Sequence, residues 1–109
     1  MTDAGTRLLG LGLRSRQVVV GVAGVRARLQ AGDAKQPAGQ TLACVVVAAD
    51  ASARTAEKVV RLARARGVLV LRGPSAERLG AELGRPPVQA VGVRDAALAR
   101  GLARVLSEE

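Results

Sequence analysis

The chain has 109 residues, 49% of them apolar, and a formal net charge of +8, with no Trp, Tyr, Phe or His and a single cysteine. That length suits one domain spanning residues 1–109, with a core that has to be built from Val, Leu and Ala. The missing residue types exclude aromatic base-stacking platforms, zinc sites, His general bases, Cys–His nucleophiles and any disulfide framework, so no metal, cofactor or enzymatic activity is expected.

In chain order, residues 6–13 carry Leu8, Leu9, Leu11 and Leu13 and predict a short first helix. Arg14 and Arg16 interrupt this apolar run too early for a signal peptide, and no run is long enough to span a bilayer, which points to a cytoplasmic protein. Gln17 to Val20 reads as a brief strand stopped by Gly21. Residues 22–31 place Val22, Val25 and Leu29 on one helical face, with Arg26 and Arg28 off it and Gly32 as the stop. Residues 33–43 contain Pro37 and Gly39 and predict a loop.

A strand over residues 44–49 follows, and its all-apolar, β-branched character suits a sheet covered on both faces. Asp50 and Ser52 then stand where the next helix, residues 52–66, needs side-chain acceptors. That helix turns Ala56, Val59, Val60 and Ala63 inward and Arg54, Lys58, Arg61 and Arg64 outward, and Gly67 closes it. Residues 68–71 predict a strand, and Ser75 caps a helix running to about Leu83 and ending at Gly84. Arg85, Pro86 and Pro87 form a stiff loop, residues 88–93 a last strand, and Asp95 caps a final helix over 96–106. Alternation of this kind predicts a three-layer α/β/α sandwich around a mixed four-stranded sheet.

The excess of seventeen cations over nine anions favours a polyanionic partner, and the fifteen arginines among them suit phosphate contacts. Two segments have the makings of a binding site. Gly21, Val22, Ala23 and Gly24 put small residues and backbone N–H groups at a helix start, edged by Arg26 and Arg28, where a phosphate fits; an ordinary helix start with two solvated cations has the same pattern. Gly84, Arg85, Pro86, Pro87 and Val88 form a rigid exposed loop with one cation. Gly10 and Gly12 lack the preceding strand and third glycine of a dinucleotide fingerprint. Asp50 ends a strand as a receiver-domain phospho-acceptor does, but residues 18–21 supply no acidic partner, so helix capping is its expected role.

The frame LLGLGLRSRQVVVG, then glycines at 21 and 32, VVVAADAS, a basic helix, GVLVLRGPSAERLGAELG and VQAVGVRD resembles the ribosomal protein L7Ae/L30e family of kink-turn RNA-binding proteins. Over about residues 7–102 it is most similar to the small bacterial branch called YlxQ. The resemblance implies an α/β/α sandwich and a cytoplasmic RNA-binding protein of the ribosome or translation. It places the RNA surface at residues 21–28 and 84–88, with Arg16 and Gln17 where that branch commonly has Gly-Lys. It also marks departures. Kink-turn readers carry Asn-Glu and a later Lys where this chain has Ala23, Gly24 and Ala27, so base-edge readout is lost while Arg26, Arg28 and backbone can still hold phosphates. Residues 36–43 resemble an insertion. The expected function is therefore phosphate-based binding of structured RNA by a monomer; a protein-interaction module with a vestigial RNA face, docking on the ribosome or a translation factor, is the other reading.

Overall fold

The computed structural model describes residues 17–31 and 42–108, so the predicted helix at 6–13, Arg16 and most of the 36–43 segment lie outside the described residues. The elements are β1 (Val18–Val20), α1 (Val22–Ala31), β2 (Cys44–Val47), α2 (Ala53–Ala65), β3 (Leu69–Arg72), α3 (Ala76–Glu82), β4 (Ala90–Val93), α4 (Ala96–Val105) and β5 (Ser107–Glu108). The sheet order is β1-β4-β2-β3-β5. Strands β2 and β3 pair in parallel, joined through α2 as a βαβ unit, while β4 lies antiparallel between β1 and β2. The expected mixed four-stranded sheet is thus present, and the two residues of β5 add a short antiparallel edge along β3.

Pairing both β1 and β2 with β4 in antiparallel fashion makes β1, β2 and β3 run in the same direction. Each of these three strands leads into a helix at its C-terminal end. The starts of α1, α2 and α3 therefore gather at one end of the sheet, where β4 begins.

The period-two alternation of β-strands explains the apolar runs. Cys44 and Val46 point to the side of Leu71, Leu79, Val91, Val93, Leu98 and Leu102, beneath α3 and α4. Val45 and Val47 point the other way, to Val25, Leu29, Val59, Ala63, Val70 and Ala90, beneath α1 and α2. Two apolar layers enclose the sheet, so every residue of β2 and β4 is buried.

Local chemistry sets the helix boundaries. Ser52 Oγ accepts from the Thr55 amide at 3.2 Å, Ser75 Oγ from the Arg78 amide at 3.2 Å, and Asp95 Oδ2 from the Leu98 amide at 2.8 Å. Helices α2 and α3 both end in Schellman turns: Gly67 and Gly84, at φ of 70° and 67°, occupy the left-handed position that glycine adopts without strain. Val68 N donates to Ala63 O and Arg85 N to Gly80 O, each at 2.8 Å, completing the motif.

Asp50 departs from expectation. It caps a helix, but not the one that follows it: its Oδ1 accepts from the Ala76 amide at 2.7 Å, 26 residues away, and so ties the end of β2 to the start of α3. Ser52 alone caps α2 with its side chain, while its own amide donates to Gln89 Oε1 at 3.1 Å. Both links are tertiary, and together with Ala48 N donating to Gln89 O at 2.9 Å they fix the approach to β4.

Candidate nucleic-acid interface

The start of α1 differs chemically from the other helix starts. Its N-terminal flank is Gly21, at φ of 99°, which has no side chain to offer as a cap. Gly21 N donates to Ala90 O at 2.9 Å and Gly21 O accepts from Val25 N at 3.0 Å, so the Gly21 amide expected to be open is in fact used to hold α1 against β4. For the amides of Val22, Ala23 and Gly24, no side chain among the described residues acts as acceptor. Unpaired amides at the positive end of a helix form a site for an anionic oxygen.

Ala23 and Ala27 are exposed, while Gly24 is half-buried for a packing reason. A Cβ on Gly24 would come within 2.8 Å of Val19 Cγ1, so α1 lies almost in contact with β1 at this turn. Any side chain at position 24 requires Val19 to move. The absence of a polar group there is thus tied to how closely helix and strand approach.

Residues 84–88 come to the same end of the sheet. Gly84, Arg85, Pro86 and Pro87 are exposed and Val88 is buried. The loop is strapped to α3 by the Arg85–Gly80 bond and by Val88 N donating to Ala76 O at 2.9 Å. Two residues after Val88, Ala90 accepts the Gly21 amide, which links this loop through the backbone to the start of α1. The two proline nitrogens carry no proton, so the loop offers apolar ring surface and the Arg85 cation.

The other predicted residues are distributed differently. Gln17 sits at the opposite end of β1, where its carbonyl accepts from Arg94 N at 2.7 Å, and it does not join the cluster around Gly21. Arg16 lies outside the described residues. Arg26 and Arg28 are both half-buried, but two residues on a helix are separated by about 200° of rotation, so they occupy different flanks of α1. Arg26 lines a groove of about 490 Å³ between α1 and α2 with Gln30, Arg54, Glu57, Lys58, Arg61, Leu62 and Ala65. The α2 cations were legible in the sequence as an exposed face. That Arg26 would meet them depends on how α1 and α2 pack, which no local pattern states. Among the described residues, no helix is long and apolar enough to cross a membrane.

The family model of the ribosomal protein L7Ae/L30e/S12e/Gadd45 family matches residues 3–103 of this chain. A solved structure described as a protein with unknown function from Bacillus halodurans C is similar over 95% of this chain and 97% of that one, with a TM-score of 0.81 and 26% sequence identity. No curated protein matches the sequence.

Proposed function

The chain belongs to the ribosomal protein L7Ae/L30e/S12e/Gadd45 family, and on that premise we propose that it is a non-catalytic, cytoplasmic RNA-binding protein of the YlxQ branch, acting as a monomer with the ribosome or translation machinery. It holds structured RNA by its phosphates and has little selectivity for kink-turns. The observation that carries this reading is the start of α1, whose Val22, Ala23 and Gly24 amides have no side-chain cap and are followed, on different flanks of the helix, by Arg26 and Arg28, on a chain of net charge +8. Phosphate oxygens complement such a site, and phosphate contacts position an RNA without reading its sequence. Exposed Ala23 and Ala27 offer no side-chain donor or acceptor to base edges, which supports the lack of kink-turn selectivity. Residues 84–88 flank the same end of the sheet and supply Arg85 as a further phosphate contact.

The test is a titration of fluorescent ribosomal RNA fragments and a standard kink-turn across a range of salt concentrations. Binding of both classes with similar affinity and a steep salt dependence is expected. No binding to either at low salt would sink the reading, and strong preference for the kink-turn would remove its phosphate-only form. In the same assay, Arg26→Ala with Arg28→Ala should weaken all the RNAs by a similar factor, with a salt slope shallower by up to about two units.

A further inference from the structure

We propose that the groove between α1 and α2 is a second RNA-binding surface, a track for the phosphodiester backbone of a strand leaving the site at the start of α1. This rests on the RNA-binding reading above and extends its footprint. Four cations from two helices converge on the groove: Arg26 from α1, and Arg54, Lys58 and Arg61 from α2. One carboxylate lines it, that of Glu57, and it is already engaged by Arg61 Nη2 at 2.6 Å. Among the described residues no carboxylate pairs with Arg26, Arg54 or Lys58.

The charges are arranged along a line. Arg54 to Arg61 covers seven helical steps, about 10 Å of axis. That extent exceeds a single anion and suits successive charges on one strand. The arrangement also opposes the helix that carries it. Arg54 lies in the first turn of α2, where the macrodipole disfavours a cation, and there is no acidic residue in that turn. Arg54 and Lys58 form a like-charge i,i+4 pair on top of this. A bound polyanion relieves both conflicts.

Position supplies the remaining argument. The start of α2 lies at the same end of the sheet as Gly21, and Arg26 belongs both to the first turns of α1 and to the groove wall. The groove therefore continues directly from the proposed phosphate site along the two helices. Beyond Ala65, Arg66 Nη2 donates to Gln30 O at 3.5 Å and bridges the helices.

The experiment compares a folded ribosomal RNA hairpin with the same hairpin carrying a short oligouridine tail at its 5′ or its 3′ end. The wild-type chain should bind one tailed hairpin several-fold more tightly than the blunt one. Arg54→Ala with Lys58→Ala should abolish that gain, leave blunt-hairpin affinity unchanged, and reduce the salt slope on the tailed RNA by about 1.4. A photocrosslinker on Ala65→Cys, an exposed position, should attach to the tail. Equal affinity for blunt and tailed hairpins overturns the track and leaves the RNA-binding reading standing, whereas no binding to any hairpin overturns both. Loss of affinity by the double variant for blunt and tailed RNA alike, or crosslinks confined to the stem, also overturns the track. So does binding of an acidic peptide that the double variant loses while its affinity for the tail is unaffected, which would assign the groove to a protein partner.

Discussion

Gly80→Ala is expected to destabilise the protein by about 2–4 kcal/mol, even though alanine is the better helix former by about 1 kcal/mol. The sign follows from what surrounds this glycine in α3. A Cβ there would overlap Pro86 O and come 2.7 Å from Pro86 C and 2.8 Å from Arg85 O. All three are backbone atoms, so no side-chain rotation relieves the overlap. Either α3 or the 84–88 loop must move, and that strains the Arg85–Gly80 and Val88–Ala76 hydrogen bonds, each with a net worth of about 1 kcal/mol. The melting temperature should fall by on the order of 10–20 °C. Denaturant unfolding decides the matter: an unchanged or higher midpoint would mean that the loop yields freely. Because the displaced loop flanks the proposed phosphate site, RNA affinity measured well below the melting temperature should fall as well.

That constraint on Gly80 shows where sequence reasoning reaches its limit. The elements themselves were legible because their signals are local. Apolar runs marked the strands, Ser52, Ser75 and Asp95 announced three helix starts, and Gly67 and Gly84 announced two ends. The last strand starts at Ala90 rather than Val88, because Val88 spends its amide on the helix carbonyl of Ala76 instead of on a neighbouring strand. The two residues of β5, Ser107 and Glu108, carry no apolar alternation and gave no strand signal.

What was not legible is tertiary. Asp50 looked like a cap for the adjacent helix because capping is usually local, yet it serves α3 across 26 residues. Gly24 and Gly80 look like weak points in helices until the partner atom across the gap is known. The two candidate segments, residues 21–24 and 84–88, are legible from local chemistry, and strand order is what brings them to one end of the sheet. Periodicity contains no information on that order. The same holds for the groove: an exposed cationic face on α2 was readable, whereas the opposing Arg26 follows only from helix packing.

Stability should decline steeply in alkali, and Cys44 is the cause. It is fully buried in β2, between the partners Leu69 on β3 and Val93 on β4. Desolvation by burial raises its thiol pKa from 9.0 to about 12, because a thiolate in this apolar layer has no water to stabilise it. The unfolded chain releases its thiol proton near the ordinary value, while the folded chain retains it. The stabilising contribution is therefore complete below pH 9.0 and is lost as pH rises towards about 12, by about 1.4 kcal/mol per unit. Denaturant unfolding measured at pH 8 to 11 should show this slope, and no tyrosine is present to titrate alongside it. Cys44→Ala provides the control: it should be less stable at neutral pH because of the cavity it leaves, but should lose less stability between pH 9 and 11 than the wild type. Parallel pH profiles for the two proteins would show that the buried thiol is not the alkaline trigger. The same burial keeps the thiolate from forming or meeting a reagent at neutral pH, so the native chain should resist maleimide while the exposed Ala65→Cys reacts, the asymmetry on which site-specific crosslinking in the α1–α2 groove depends.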